Sequence, residues 1–140
     1  MSSDLIWLLT RDQSSFLVKR NGIQLTREPG NLLNKNSLKY SGLAQRKTID
    51  IQFAEKGAHI TLKKTSVPAH KHAKLGHKTT IQKGVRASSK SVTNLLSTYR
   101  PDLQKAALAR LTRVTEAQQK PKAQKPKKLR GVRARKATVA

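Results

Sequence analysis

The sequence predicts an α+β fold in which a small antiparallel sheet of two hairpins is covered by C-terminal helices. Two observations carry this prediction: apolar residues alternate along two strand pairs before residue 63, and they recur at helical spacing between residues 92 and 114. A third observation limits the fold, because two segments rich in Lys and Arg contain no acid and few apolar residues. We expect these segments to form a long basic loop and a basic tail that is disordered when free.

The first element is predicted from a short apolar run, Leu5–Leu9, which follows two serines and Asp4. A serine can cap a helix, and an acid in the first turn suits the positive end of the helix dipole. A buried strand would show the same run, so the pattern favours a helix over residues 4–10 without excluding a strand. The run is far shorter than the roughly 20 residues that span a bilayer, and no basic cluster precedes it as in a signal peptide. We therefore expect a soluble, intracellular protein without membrane contact.

A tight hairpin is predicted next, because an Asn-Gly pair at 21–22 separates two apolar stretches. This pair is typical of a type I′ turn, in which both central residues need a positive φ. Pairing Arg20 with Ile23 places the apolar side chains on one face and the polar ones on the other. The apolar face then consists of Phe16, Val18, Ile23 and Leu25.

A second hairpin is predicted around Gly57, with apolar residues alternating on both sides of it. Its apolar face consists of Ile49, Ile51, Phe53, Ile60 and Leu62. Two hairpins with one apolar face each are marginal alone and need helices to cover them. The aromatic rings of Phe16 and Phe53 lie on these faces, so we expect them in the core and not as platforms for stacked bases.

Two helices are predicted to supply that cover. The first is capped by Ser88 or Ser89 and has apolar side chains at i, i+3, i+4 and i+7, namely Val92, Leu95, Leu96 and Tyr99. The second opens at Pro101, since proline is tolerated at the first helical position and Asp102 behind it suits the dipole. Its apolar side consists of Leu103, Ala107, Leu111 and Val114. Arg110 falls within this stripe, so we expect its aliphatic stem to pack while the guanidinium reaches outward.

One domain of ordinary size fits a chain of 140 residues. We assign residues 1–118 to this domain and residues 119–140 to the basic tail. Within the domain, residues 64–87 are expected to form the basic loop, with six bases, no acid, one proline and two glycines. The tail has nine bases and no acid, and it repeats the motif Lys-Pro-Lys.

Charge is the strongest indication of function. Thirty lysines and arginines face seven acids, and the residues from Gly57 onward hold 21 of those bases but only two acids, Asp102 and Glu116. A surface that was merely soluble would intersperse both signs. So large an excess of one sign repels itself and is normally neutralised by a polyanion, of which nucleic acid is the first candidate.

The same inventory argues against an enzyme or a metal protein. There is no cysteine, the acids are scattered, and no phosphate-cradling glycine motif or nucleophile elbow occurs. His70, His72 and His77 lie close together, but the lysines among them would repel a cation. We therefore expect no catalysis, no cofactor, no metal and no small-molecule substrate. Composition alone leaves DNA and RNA open, and a DNA-compacting chromatin protein remains an alternative.

Particular residues decide between these possibilities. The stretches concerned are residues 14–20 (SSFLVKR), 28–32 (EPGNL), Asn36, Ser37, 40–43 (YSGL), 46–48 (RKT) and 99–103 (YRPDL) with Ala106 and Ala107. In this order they resemble the eukaryotic large-subunit ribosomal protein twenty-eight family, the L-twenty-eight-e family. The resemblance runs from Leu5 to about Arg110 and covers most of the chain.

The resemblance implies a structural component of the cytosolic large ribosomal subunit that binds rRNA and contacts neighbouring ribosomal proteins. It implies no catalysis, and we expect no homo-oligomer. Assembly is expected in the nucleolus, with function on the cytoplasmic ribosome. A nucleolar ribosome-assembly factor begins with the same domain and is a second alternative, but that relative carries cysteines and continues into an acidic region.

The predicted rRNA contacts are Lys and Arg side chains from the loops, the strands and the tail. Arg46 and Lys47, which enter a strand beside Tyr40, are the strongest candidates for ordered contacts. The full set is Lys19, Arg20, Lys35, Lys39, Arg46, Lys47, Lys63, Lys64, Lys71, Lys74, Lys78, Lys83, Arg86, Arg100, Arg110, Arg113, Lys120, Lys122, Lys125, Lys127, Lys128, Arg130, Arg133, Arg135 and Lys136.

Overall fold

The computed structural model describes residues 2–119, and its elements confirm the α+β prediction. Their bounds are α1 Ser3–Thr10, β1 Leu17–Arg20, β2 Ile23–Thr26, β3 Ile49–Phe53, β4 Ala58–Lys63, α2 His72–Leu75, β5 Gly76–Ile81, α3 Val85–Tyr99, a 3₁₀ turn Pro101–Leu103 and α4 Gln104–Gln118. The predicted tail lies outside the described residues from Lys120 onward. No helix within residues 2–119 is long and apolar enough to cross a bilayer.

Helix α1 resolves the ambiguity of the first apolar run. The Ser2 hydroxyl accepts a hydrogen bond from the Leu5 backbone N–H at 3.3 Å, which makes Ser2 the N-cap, and Asp4 lies in the first turn. None of its residues is buried. Ser3, Ile6, Trp7 and Thr10 are half-buried on one face, so local capping and partial packing together account for the helix.

The first hairpin forms in the predicted register, with Arg20 opposite Ile23 and Val18 opposite Leu25. Asn21 and Gly22 have φ values of 48° and 74°, as a type I′ turn requires. The expectation of one sheet covered by helices is wrong for this hairpin, because β1 and β2 form a separate two-stranded sheet. Within residues 2–119 its apolar face stays largely exposed, with Ile23 at 61%.

The core is built on the second hairpin. β3 and β4 pair antiparallel with Ile51 opposite Ile60; α4 packs against both strands, and α3 packs against α4 and contributes Val92 and Leu96 to the same core. The buried side chains are Leu32, Ile49, Ile51, Ala58, Ile60, Val92, Leu96, Leu103, Ala106, Ala107 and Leu111. The two predicted helical stripes therefore supply the opposing layer.

Two expectations about the following segment need correction. The basic loop 64–87 is a loop only in part, because residues 76–81 form β5, which pairs antiparallel with β4 and completes a three-stranded sheet. Five of its six residues are exposed, so the segment lacks the apolar alternation that predicts a strand. Helix α3 begins at Val85, three residues before the expected caps, and the Ser88 hydroxyl is buried and donates to the Lys83 carbonyl.

Candidate nucleic-acid interface

Exposure divides the 21 lysines and arginines among residues 2–119 into two groups. Eighteen are exposed, and only Lys63, Arg100 and Arg110 are partly buried. All three donate hydrogen bonds to backbone carbonyls of distant segments. All three belong to the predicted rRNA contacts. In the structure, their hydrogen bonds join distant segments of the chain and therefore stabilise the fold.

Arg100 is the most heavily engaged of the three. Its guanidinium donates to the Lys47 carbonyl at 2.9 Å and to the Lys39 carbonyl at 3.2 Å. It also grips both carboxylate oxygens of Asp102, at 3.0 and 2.6 Å. These bonds hold the pKa of Asp102 below its usual value. Arg100 thus ties the end of α3 to the chain on both sides of the residues 40–46.

Replacing Arg100 with alanine is expected to destabilise the fold by about 2 kcal/mol, because two backbone carbonyls and a carboxylate lose their donor. Since the folded-state pKa of Asp102 is lowered, the pair's stabilisation is present above the unfolded pKa and is lost as pH falls through the folded pKa. Urea unfolding of the wild type should therefore show this acid-side loss, and the R100A variant should lack it. Arg113 is the matched control, since it also pairs with a nearby acid but is 84% exposed. An R113A variant as unstable as R100A would contradict the assignment.

Lys63 joins the same region from the sheet. Its ammonium donates to the Gln45 carbonyl at 3.0 Å and to the Gly42 carbonyl at 3.3 Å, and its burial lowers the pKa of the ammonium. The Tyr99 hydroxyl donates to the Lys63 carbonyl at 2.6 Å, and burial raises the pKa of this phenol. Arg110 donates more weakly, at 3.4 Å, to the Ile51 carbonyl.

The connection between β2 and β3, residues 27–48, is held from inside by a buried carboxylate. Glu28 is 7% exposed and accepts hydrogen bonds from the Asn31 amide at 3.1 Å and the Ser41 hydroxyl at 3.2 Å. Asn31 also donates to the Lys35 carbonyl, and Ser41 accepts from the Ala44 N–H. Several residues that carry the family resemblance therefore have a structural role in shaping this connection.

These internal bonds gather exposed bases at one end of the three-stranded sheet. The β3–β4 ladder continues through the bond from the Lys63 N–H to the Thr48 carbonyl, which places Lys47 opposite Lys64. The Lys64 N–H in turn donates to the Leu75 carbonyl, next to Lys74. We call this group the sheet-end cluster: Lys39, Arg46, Lys47, Lys64 and Lys74.

Two lysines of the cluster lie over aromatic rings. The Lys47 ammonium is 5.6 Å from the centre of the Tyr99 ring, and the Lys39 ammonium is 5.8 Å from that of Tyr40. Such contacts restrict a flexible side chain without using its N–H donors. Both lysines therefore keep their N–H donors for a partner, and Lys47 stays a predicted rRNA contact.

The remaining predicted contacts are exposed but are not gathered into the cluster. They are Lys19, Arg20, Lys35, Lys71, Lys78, Lys83, Arg86 and Arg113. The predicted bases of the tail, from Lys120 to Lys136, lie outside the described residues. No three His, Asp or Glu side chains in residues 2–119 are placed to share a metal ion.

The expectation that both hairpin phenylalanines are core residues is wrong. Phe53 is 59% exposed and Phe16 is 39% exposed. Phe53 ends β3 opposite the buried Ala58, and Phe16 directly precedes β1 in the exposed hairpin. Alternation predicts the face of the strand on which each ring lies, but it does not show how much of the ring the rest of the fold covers.

The fold and the sheet-end cluster define a class: small, strongly basic α+β proteins whose cationic side chains gather at one end of a sheet. A comparison of the sequence with family models identifies one family for this chain. A model described as the Ribosomal L28e protein family matches residues 5–117. The chain belongs to the ribosomal L28e protein family.

Individual relatives agree with this assignment. A Dictyostelium discoideum protein named "Large ribosomal subunit protein eL28" is 42% identical over 122 residues, which cover 84% of this chain and 89% of the relative. The Schizosaccharomyces pombe protein of the same name is 37% identical over 125 residues, which cover 84% and 93%. A Trypanosoma cruzi protein, again of that name, is 34% identical over 110 residues, which cover 78% and 73%.

Proposed function

We propose that the protein is a structural constituent of the large ribosomal subunit and binds folded rRNA without catalysing a reaction. The family and the printed names of its relatives support this proposal. The observation that carries the rRNA contact is the sheet-end cluster, in which exposed bases from three separate segments meet. Arginine and lysine there supply the donors and charge that phosphate oxygens attract.

The other predicted bases extend this contact. Lys71 precedes α2 and Lys78 lies in β5; both are exposed outside the cluster, in a stretch from residue 57 to residue 101 that contains no acid. The tail adds nine bases, and we assign it rRNA contacts on charge alone. We expect the protein to bind rRNA during subunit assembly in the nucleolus. We expect it to stay bound on the cytoplasmic ribosome.

Helix α1 is the proposed contact with a neighbouring ribosomal protein. It has no base, and Leu5, Leu8 and Leu9 lie on one face at i, i+3 and i+4 with exposures of 46%, 63% and 63%. A face without cations gains nothing from phosphate, whereas an apolar groove on a protein would bury it. The chain itself is expected to act as a monomer within the subunit.

Co-sedimentation tests the proposal. The protein, tagged in a cell, is expected to sediment with large subunits after a moderate salt wash. A variant with Lys47→Glu and Lys64→Glu should lose most of this association, because each reversal places a repelling charge against phosphate. The matched control is Lys56→Glu with Lys90→Glu, which changes the net charge equally at exposed positions away from the cluster. Equal loss in both variants would contradict the site, and sedimentation with chromatin instead of subunits would contradict the function.

A further inference from the structure

A cleft of about 370 Å³ opens on the face of the three-stranded sheet that the helices do not cover. One wall is the connection 27–48, and the other is the segment around α2. The walls are mainly apolar, whereas the floor is polar. The apolar wall residues include Pro29, Leu43 and Leu75, and the floor includes Asp50, Thr61 and Lys63.

Asp50 is the unusual member of this set. In so basic a chain, a carboxylate at a nucleic-acid interface repels phosphate. Its Oδ2 accepts a hydrogen bond from the Gln52 amide at 2.7 Å, and it makes no ion pair within the described part of the chain. Asp50 therefore retains acceptor capacity toward the cleft, and it suits a ligand that brings N–H groups and not phosphate.

Lys63 supplies the complementary donor. Two of its three N–H groups bind the Gly42 and Gln45 carbonyls, so one remains. Asp50 pairs with Thr61 across the ladder, and Lys63 lies two residues further along the same strand. The Cβ atoms of such diagonal neighbours are about 7 Å apart, so both side chains can reach a single base placed between them. The floor thus offers an acceptor and a donor on the same face of the sheet.

We propose that this cleft binds one unpaired guanine of the RNA, an inference that rests on the RNA binding proposed above. Guanine presents N1–H and N2–H₂ donors for the Asp50 carboxylate, and beside them the O6 acceptor for the Lys63 ammonium. Lys bonded to guanine O6 and a carboxylate accepting from a base amino group are established modes of base recognition. The apolar walls of Pro29, Leu43 and Leu75 cover the faces of the ring, as unpaired bases require.

Binding of the full chain to four RNA hairpins, identical except for one unpaired loop base, tests this assignment. At salt high enough to weaken phosphate contacts, the guanine hairpin should bind roughly tenfold more tightly than the other three. Asp50→Asn replaces an acceptor oxygen with a donor while keeping the size of the side chain. This variant should bind all four hairpins alike, because the acceptor that distinguishes guanine is lost. Asp12→Asn is the matched control, since it removes the same charge from an exposed acid outside the cleft and should keep the guanine preference.

The outcomes separate this inference from the function on which it rests. Salt-dependent RNA binding with no base preference overturns the guanine site and leaves the proposed rRNA contact intact. Equal loss of preference in both aspartate variants also overturns the site, because general charge would then explain it. If Asp50→Asn weakens association with whole subunits but not base preference, the cleft binds a protein partner and the guanine assignment is wrong. Absence of any RNA binding at low salt overturns both proposals.

Discussion

Replacing Gly42 with alanine is expected to prevent stable folding. A Cβ at this position would lie 1.8 Å from the Pro29 carbonyl oxygen and 2.9 Å from its carbon, well inside contact distance. The obstructing atoms belong to the backbone, so no change of side-chain rotamer relieves the clash. The backbone at Gly42 would have to move away from the backbone at Pro29. We expect a loss of more than about 4 kcal/mol, a magnitude reserved for severe disruption of a core or backbone. Urea unfolding followed by circular dichroism should show little or no cooperative transition.

Gly84 provides the matched control for this substitution. It precedes α3 with a φ of −57°, and a Cβ there would meet nothing within 4 Å. Gly84→Ala should therefore change stability by less than about 1 kcal/mol. If the Gly42→Ala protein unfolds like the Gly84→Ala protein, the close contact between the backbone at Gly42 and that at Pro29 is not needed for a stable fold.

Deleting residues 120–140 is expected to produce the largest change in RNA binding. With the tail, affinity should fall about a thousandfold between 50 and 200 mM salt, as expected for at least six neutralised phosphates. Removing nine bases takes away several of these contacts, so the deletion variant should lose only about tenfold over the same range. The measurement is the slope of log Kd against log salt for a fragment of large-subunit rRNA.

A variant that keeps the nine bases but replaces Pro121 and Pro126 with alanine controls for the tail's backbone. Its slope should match that of the full chain, because charge and not proline is proposed to act. An unchanged slope after deletion would refute the role of the tail. Loss of cooperative unfolding after deletion would refute the separate assignment of residues 1–118 and 119–140.

Local patterns predicted the elements that local forces determine. The Asn21–Gly22 turn fixes its hairpin register because both residues accept positive φ, and Ser2 caps α1 through a bond within the same turn. The stripes that include Val92 and Leu111 were also predicted correctly, since periodic apolar residues identify a buried helix face. β5 was missed because it is an edge strand held by backbone bonds to β4, and its side chains are mostly exposed.

For the candidate site, the sequence predicted which residues carry charge but not what each cation does. Lys47 and Lys64 are neighbours only because the sheet register aligns them. Arg100 and Lys63 appear equivalent to the other bases in sequence, yet they bind backbone carbonyls 18 to 61 residues away. The cleft beside Asp50 likewise needs three segments to meet.

The sequence by itself determined the α+β class, the hairpin turns, the helical faces, the excess of positive charge and, through its motifs, the family. These properties depend on residue type and on spacing over a few positions, which a linear pattern records. Only the tertiary structure decided that the hairpins belong to separate sheets, that Phe53 is exposed, and which cations face inward. Each of those outcomes depends on how segments that are distant in sequence pack against each other. The free energy of that packing depends on several segments at once, so no single stretch of sequence contains it.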